Sequence, residues 1–541
     1  MEENKILEKI KTAFSHAAAP SADGKEVGEV LDTCRAYESE KKKLRFRHAF
    51  RVVAAVFAVF VGFSVGFGLV WLHISTRYSG VAGLSSSGED EVTFANTGED
   101  EEDETTGTEE RAEEAYVVAA AKYPTMASYE SAYNTWTIQA DRRREEQENY
   151  PDGYSDYVIS TMRQVLAQET ENGTENPVYS PLSIYMALTL LAEATDGNSR
   201  AQILDAMGVA DIDALRTGSS ALWTGNYYDT GSINSILAGS LWLNESISFH
   251  QDTLNSLAKN YGISTYQGSM ASDDFQDAMV SWLNLFTGNM LSSLNGSAEA
   301  ARRELDISDS TACAIFSTIY YEVKWEEEFE EEDTSVGTFH AADGDITCEF
   351  MNQKTAYESY YRGAHYGAVF KNFEGGGGMW LILPDEDSSV DELLQDEEAA
   401  AMLADGLTWS SSSGYAEANW EDYTRVSINL SIPKFDVETA FDLADTLRSF
   451  GITDIYDASV ADFSPLTDTT GLTLSKARHA VRVAVDEEGV TAAAYTETVI
   501  KLAGKDYPQG DAIDFVLDRP FLFAVVSDTG TISFVGVVNR P

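Results

Sequence analysis

The chain has 541 residues, of which 37 are Lys or Arg and 89 are Asp or Glu, giving a net charge of −52. This balance excludes a general nucleic-acid binder, because neutralising phosphates requires clustered cations. It also argues against docking of the bulk of the chain on an anionic membrane surface. The three cysteines are too few for a disulfide-rich scaffold.

The first recognisable element is an uncharged apolar run at residues 52–72. Residues 1–51 carry 11 basic and 9 acidic groups, and basic side chains crowd the flank of the run. As a helix the run spans about 31 Å, which matches the hydrocarbon core of a bilayer. The positive-inside rule predicts a cytoplasmic tail (1–51), one transmembrane helix (52–72) and export of the remainder. Because about fifty polar residues precede it, the run reads as a signal anchor rather than a cleaved signal peptide. An anchor without a signal peptide suggests a cell-surface protein, and we expect it to be bacterial.

An acidic linker follows the apolar run. Residues 73–150 contain stretches rich in Gly, Ser, Thr and acids, which predict an extended extracellular stalk. Near its end, Asp141–Asn149 predicts a solvated helix that Pro151 terminates. The folded domain is therefore placed at residues 151–541.

Helices and strands are mixed in the domain without a βαβ rhythm, so the predicted class is α+β. Helical spacing predicts a helix over Tyr154–Gln168. Ser180 is a good N-cap and Pro181 suits the first turn of the apolar helix after it, and Ala440–Phe450 reads as another helix. Alternating or β-branched runs predict strands at Cys313–Val323, Met379–Leu383, Arg425–Ile432, Ala480–Val485, Phe521–Val526 and Thr531–Val538.

Motifs of known catalytic chemistry are missing from the sequence of this domain, so we expect no enzyme, cofactor or metal site. The run Gly375–Gly378 lacks the strand–turn–helix context of a phosphate loop and predicts a turn between strands. Cys313 and Cys348 lie on the exported side, and their spacing leaves a disulfide between them open.

One segment has an unusual pattern, Ser475–Ala503, which runs from a strand through Glu487-Glu488-Gly489 into small residues. It resembles the reactive loop of the serpins, inhibitors that trap proteases with an exposed loop. Six further segments follow the pattern of that family in the same order: Asn176–Ser183, Tyr320–Trp325, Ile432–Tyr456, Asp462–Ser464, Phe515–Phe523 and Gly536–Asn539.

The resemblance implies a large central sheet, smaller sheets and a shell of helices. It also implies a suicide-substrate mechanism, in which the cleaved loop acylates the protease and inserts into the central sheet as a new strand. The family's hinge maps onto the residues Glu487, Glu488, Gly489, Val490, Thr491, Ala492, Ala493 and Ala494. We expect Gly489 to act as the pivot, because glycine tolerates backbone angles closed to other residues.

Strand alternation tests whether this loop can insert. The row predicted to face the core holds only small, β-branched or apolar side chains, whereas Tyr495, Glu497 and Lys501 fall in the opposite row. Burying an unpaired charge would cost several kcal/mol and stall insertion. The predicted inserting row is Val490, Ala492, Ala494, Thr496, Thr498 and Ile500.

The family spacing from the hinge glycine places the reactive bond at Ala503–Gly504. Alanine before the bond predicts an elastase-like or subtilisin-like serine protease as the target. The loop is several residues longer than usual, so Lys501, Leu502 or Lys505 remain alternatives before the bond. A lysine there would shift the target toward trypsin-like enzymes.

The resemblance also assigns residues beneath the central sheet. The cluster where the strands part, called the shutter, maps onto Ser180, Ser183, Ser317 and His479, with Ser317 in place of the family's usual Asn. Trp325 maps to the top of the sheet, called the breach. The expected partner is an extracellular serine or cysteine protease, and we expect the inhibitor to be a monomer. The alternative function is that of a non-inhibitory cell-surface binding protein of serpin fold.

Overall fold

The computed structural model describes residues 112–491 and 512–541, apart from 130, 232, 290, 292–293, 295, 405–406, 411–414 and 419–422. In these residues no helix is both long enough and apolar enough to cross a membrane. The predicted tail and the predicted span at 52–72 lie outside the described residues.

The helices surround and separate two sheets. Short 3-10 turns occur at Ala112–Tyr116, Glu146–Asn149, Glu331–Asp333 and Asp454–Tyr456. The α-helices are α1 Tyr133–Glu145, α2 Tyr154–Glu171, α3 Pro181–Ala194, α4 Gly197–Ala206, α5 Ile212–Asn226, α6 Gln251–Tyr261, α7 Asp273–Phe286, α8 Ala298–Leu305, α9 Val390–Gln395, α10 Glu397–Ala404 and α11 Leu443–Ser449.

Sheet A has the strand order β1, β5, β4, β6, β16, β15, β14, with β3 paired to β4. Its long central pair, β4 and β6, is antiparallel, and β6 is buried along most of its length. The strands are β1 Val117–Ala119, β3 Tyr228–Asp229, β4 Asn234–Asn244, β5 Ile263–Gly268, β6 Cys313–Lys324, β14 Phe435–Asp442, β15 Lys476–Val485 and β16 Gly489–Thr491.

Sheet B has the order β17, β13, β8, β9, β10, β18, β19, β2, with β7 paired to β8, and β11 and β12 form a separate hairpin. The predicted glycine turn joins β9 to β10 and is confirmed. The strands are β2 Val178–Tyr179, β7 Ser335–Ala341, β8 Gly344–Arg362, β9 Tyr366–Asn372, β10 Gly378–Pro384, β11 Leu407–Ser410, β12 Tyr415–Ala418, β13 Tyr423–Pro433, β17 Ile513–Val516, β18 Phe521–Val526 and β19 Ile532–Val538.

Helix α3 lies between the two sheets. It begins as predicted, with Pro181 in its first turn and the Ser180 side chain accepting a hydrogen bond from the Ser183 amide at 3.1 Å. All its residues are buried, because it packs against β6 of sheet A and β19 of sheet B. A helix that is apolar on every side needs cover on every side.

Part of the predicted stalk is folded. Residues Val117–Ala119 pair with β5 at the edge of sheet A. In α1, Arg143 is 5% exposed and forms a buried ion pair with Asp528 at 2.9 Å, while its guanidinium lies 4.5 Å from the Tyr228 ring centroid. From Ala112 onward the chain is therefore part of the packed structure, earlier than the predicted start at 151, and the predicted solvated helix holds a buried cation.

One other prediction needs correction, and the structure also answers the question of the two cysteines, which their spacing left open. Ala440 belongs to β14, because Phe435–Asp442 pairs with β15 along its length, and the helix starts only at Leu443. Cys313 and Cys348 are both free thiols. They lie in β6 and β8, strands of different sheets, so the disulfide left open by their spacing is absent.

Candidate functional site

The feature that distinguishes sheet A is the way β6 and β15 meet. The two strands are parallel and pair directly only over Ala314–Ser317 with Lys476–His479. At the other end β16 lies between them, antiparallel to both. We call the space between β6 and β15 the slot, its end at Gly489 the open end, and its end at Ser317 and His479 the closed end.

Val490, the first residue of the predicted inserting row, lies in the open end. It pairs with Val323 on one side and Val485 on the other and is 2% exposed. The chain leaves sheet A at Thr491 and enters sheet B at Ile513. The rest of the predicted hinge and inserting row lies outside the described residues: Ala492, Ala493, Ala494, Thr496, Thr498 and Ile500. The candidate bond residues do too: Lys501, Leu502, Ala503, Gly504 and Lys505.

Gly489 is required at the open end for a steric reason. Its φ is not among the positive values found in the described residues, so the expected pivot angle is not what this conformation uses. Instead, an added Cβ would overlap the Val323 carbonyl oxygen and lie 2.8 Å from the Lys324 Cα. Only a residue without a side chain lets β16 approach β6 this closely.

Glu487 fixes the turn that leads into β16. Its carboxylate accepts hydrogen bonds from Lys434 Nζ and from the Thr334 hydroxyl, both at 2.7 Å. Burial opposes ionisation of this carboxyl, yet the bonds from Lys434 and Thr334 outweigh burial and hold the pKa of Glu487 below its usual range. Glu487, the first hinge residue, is therefore an anion paired with Lys434, which directly follows β13.

Glu488 has the opposite electrostatic environment. Burial raises the pKa of its carboxyl, the charge of Lys324 opposes that rise, and the charges of Asp486, Glu328 and Glu331 add to it. The turn is closed by the Asp486 side chain, which accepts from the Glu488 and Gly489 amides at 3.0 and 3.1 Å. Two neighbouring glutamates thus differ because only one of them contacts a lysine directly.

Trp325 lies beside the hinge, at the end of β6. The side chain is 2% exposed, and its indole Nε1 donates to the Asp486 carbonyl at 3.0 Å. Its backbone amide donates to the Glu488 carbonyl at 2.9 Å, and its ring stacks on Phe373 at 5.0 Å between centroids. The residue assigned to the breach from the resemblance is therefore bonded to the hinge backbone.

The four residues predicted for the shutter come together at the closed end. Ser183 Oγ lies 2.9 Å from Ser317 Oγ, and the Ser317 hydroxyl donates to the Ser183 carbonyl at 2.8 Å. The Ser180 amide donates to His479 Nε2 at 3.1 Å. All four are buried, and Ser317 and His479 are direct partners in the pairing of β6 with β15. Helix α3 is thus bonded to both strands that close the slot.

His479 is neutral in this arrangement. Because its Nε2 accepts a hydrogen bond from an amide, that nitrogen has no proton. Burial lowers the pKa of the imidazole to about 3, since no charged partner offsets the loss of water in stabilising the imidazolium. The closed end is accordingly held by uncharged hydrogen bonds, unlike the ion pair of Glu487.

Sequence reasoning missed Lys434 and Thr334, the partners of Glu487. Lys434 had a readable signal, because it is the one charge between apolar Ile432-Pro433 and Phe435 in a segment that already resembled the family. Thr334 had none, since it lies after an acidic stretch and reaches Glu487 only through the fold.

Comparisons with known proteins agree with this geometry. A model of the family "Serpin (serine protease inhibitor)" matches residues 155–541. Serpin-ZX of Arabidopsis thaliana is 28% identical over 71% of this chain and 96% of its own length, and Serpin B3 of Homo sapiens is 28% identical over 70% and 96%. Among solved structures, the thermophilic serpin tengpin in its native state has a TM-score of 0.60 at 21% identity, covering 78% of this chain and 97% of its own. Thyroxine-binding globulin in complex with thyroxine has a TM-score of 0.58 at 19% identity, covering 72% and 98%.

Proposed function

Because this chain belongs to the serpin family, whose members are in general serine protease inhibitors, we propose that it inhibits a serine protease as a suicide substrate. The protease's serine oxygen attacks the carbonyl carbon of the residue before the reactive bond, and the peptide bond breaks as the new amine takes a proton. The inhibitor is left as an ester on the protease. Insertion of the freed strand into the slot then traps this acyl-enzyme before water releases it.

The observation that carries the proposal is the position of β16. A strand lying antiparallel to both β6 and β15 has the orientation that an inserted loop needs. Continuing either register along the slot brings Thr496 opposite Ser317 and His479, which are themselves direct partners. The two walls therefore admit one strand without a shift in register.

The length of the slot agrees with the predicted inserting row. Strand β6 has 12 residues, Cys313–Lys324, and Gly489 already pairs with Lys324. In the same register Ile500, the last residue of the predicted row, would lie opposite Cys313. Lys501 would fall just past the end of β6, so the slot takes up the loop up to the candidate bonds without burying that charge.

We propose Ala503–Gly504 as the reactive bond and an elastase-like or subtilisin-like protease as the target. The register is compatible with cleavage after Lys501, Leu502 or Lys505 as well, since each follows Ile500. Mass spectrometry of the fragment released from the complex separates them: a fragment beginning at Gly504 supports our assignment. One beginning after a lysine would move the target to trypsin-like enzymes.

The test of inhibition is an SDS-resistant covalent complex with elastase or subtilisin. Clean cleavage without a complex, across several serine and cysteine proteases, would reject it. The alternative is a non-inhibitory binding protein, since thyroxine-binding globulin, crystallised with thyroxine, is among the similar folds. That alternative predicts a loop that is cut without a rise in thermal stability, because no strand is added to the sheet.

We further propose that residues 52–72 anchor the protein in a cell membrane with residues 1–51 in the cytoplasm and the inhibitor, a monomer, outside. The support is the basic flank and the uncharged run of the sequence. Protease treatment of intact cells should remove the inhibitor domain and leave a tail fragment in the membrane. Protection of the whole chain would reject this orientation.

A further inference from the structure

A lysine close to the open end of the slot lies in the core rather than at the surface. Lys371, in β9, is 1% exposed, and burying an ammonium group is costly unless its protons are bonded. Its Nζ donates to the Glu327 carbonyl at 2.9 Å and to Gln353 Oε1 at 2.7 Å. The cation is therefore satisfied inside the protein and tied to the segment that follows β6.

Aromatic rings on the same segment surround this ammonium group. Nζ of Lys371 lies 4.6 Å from the Phe329 ring centroid and 5.4 Å from that of Trp325, within the range of cation–π attraction. Gln353 adds bonds from its Nε2 to the Glu327 and Glu328 carbonyls at 3.3 and 2.8 Å. Lys371 and Gln353 thus bind residues 325–329 through the Glu327 and Glu328 carbonyls.

Residues 325–329 are also hydrogen-bonded to the backbone of the hinge and of Asp486 before it. The Trp325 amide and indole donate to the Glu488 and Asp486 carbonyls. The Phe329 amide donates to the Glu487 carbonyl at 3.0 Å. All three residues before Gly489 are therefore bonded to the segment that Lys371 contacts.

We propose that Lys371 is a positioning residue that keeps Gly489 and Val490 in the slot by holding residues 325–329 against the turn at 486–488. An apolar side chain would fill the same space. It would not bond the Glu327 carbonyl, and the rings would lose their cation. The consequence for inhibition rests on the proposed function: a hinge already in register starts insertion sooner, and insertion competes with release of the acyl-enzyme.

Hydrogen exchange of the peptide containing residues 486–491 tests this role without any protease. In Lys371→Met we expect exchange about tenfold faster than in the parent, as for loss of a hydrogen bond to a charged group. Strands β18 and β19 should keep their rates. The matched control is Lys354→Met, at an exposed lysine of β8, which should leave the hinge peptide unchanged.

Several outcomes would overturn the proposal. Equal hinge exchange in Lys371→Met and the parent would do so, as would equal acceleration in β18 and β19, which marks a general core defect. Lys371→Arg, which keeps a cation and its donors, should bring hinge exchange back toward the parent rate. If Lys371→Met does not fold, Gln353→Leu is the fallback variant, because it removes an acceptor of the ammonium group at a partly exposed position. Unchanged hinge exchange in Gln353→Leu would reject the proposal.

A second measurement separates this inference from the proposed function. If the parent forms a covalent complex, Lys371→Met should need severalfold more inhibitor per protease inactivated, with an unchanged rate of loop cleavage. An unchanged stoichiometry would reject the role of Lys371 while the inhibitory function stands. If the parent forms no complex, the proposed function fails, and hydrogen exchange alone decides the role of Lys371.

Discussion

The two ends of the slot are held by different chemistry. At the open end, the turn before β16 is fixed by an ion pair, three hydrogen bonds from Trp325 and Phe329, and a glycine that permits close approach. At the closed end, uncharged hydrogen bonds from helix α3 reach the two strands where they pair directly. In the proposed mechanism, the inserting strand would therefore enter from the open end, and the bonds that have to break at the closed end join uncharged groups.

Val490→Arg should have the largest effect, because it puts an unpaired charge into the one part of the slot already occupied. Burial of such a charge costs several kcal/mol, so insertion should stall while the loop is still cut. We expect the stoichiometry of inhibition to rise more than about tenfold, as product shifts from covalent complex to cleaved inhibitor. The control Val336→Arg changes a valine that is 71% exposed and should behave as the parent; an intact yield of complex in Val490→Arg would contradict the assignment of the open end.

Gly489→Ala should have the next largest effect, since its Cβ has no room beside Val323 and Lys324. We expect β16 to leave the slot, with faster hydrogen exchange at Val490 and a severalfold higher stoichiometry of inhibition. In Gly296→Ala the new Cβ meets only Ala300 at 3.5 Å, so that variant should match the parent. If Gly489→Ala kept both parent values, the steric account of this glycine would be wrong.

The closed end should show a pH dependence that comes from burial of the His479 imidazole. The unfolded imidazole of His479 binds a proton below about pH 6.5, whereas burial lowers the folded pKa to about 3. The folded state therefore loses stability relative to the unfolded state as pH falls from about 6.5 toward 3. At pH 5 this loss amounts to about 2 kcal/mol. Urea unfolding at pH 8 and pH 5 measures the difference in the free energy of unfolding between these pH values. His479→Gln should remove the part of this difference that comes from the imidazole. His250→Gln, at a ring that is 39% exposed, should retain it; an equal loss in both variants would contradict the prediction.

Ser183→Ala should have the smallest effect. It removes the contact between Ser183 Oγ and Ser317 Oγ, while the Ser317 hydroxyl keeps its bond to the Ser183 carbonyl. We expect a loss of about 1 kcal/mol and a fall in Tm of about 1 °C, measured by thermal unfolding. Ser310→Ala, at an exposed serine, is the control. A loss of several kcal/mol in Ser183→Ala would mean that the closed end depends on this hydroxyl far more than its remaining bonds indicate.

Local patterns made much of this arrangement predictable. The cap at Ser180, the strand from Cys313 and the strand that ends at Val485 follow from residues close together in sequence, and the structure confirms them. Ala440–Phe450 was harder, because AFDLAD satisfies helical spacing while Phe435, Val437 and Thr439 alternate as a buried strand face. Pairing with β15 decided in favour of the strand.

Contacts between distant residues account for what the sequence did not reveal. Arg143 stands in a run of charges that reads as solvated, and only the fold brings Asp528 to it. Gly489 was identified from the local motif, whereas the close approach of β6, which leaves no room for a Cβ there, is a non-local property. Lys371 gave no signal, because a single lysine in a strand says nothing about burial.

The Arg143–Asp528 pair has a mechanical consequence. Tension on the polypeptide before Ala112 would first load the packing of Ala112–Tyr116 on α7. It would then load the pairing of β1 with β5, an edge that β5 and β4 separate from the slot. Further along the chain, a stronger restraint is the buried pair of Arg143 with Asp528, which lies in the turn between β18 and β19 of sheet B. Removing one partner of such a buried pair costs about 3–5 kcal/mol, because the other charge stays buried. Pulling at the N-terminal side is thus resisted at the β1 edge of sheet A and at a turn of sheet B, and not directly at β15 or β16.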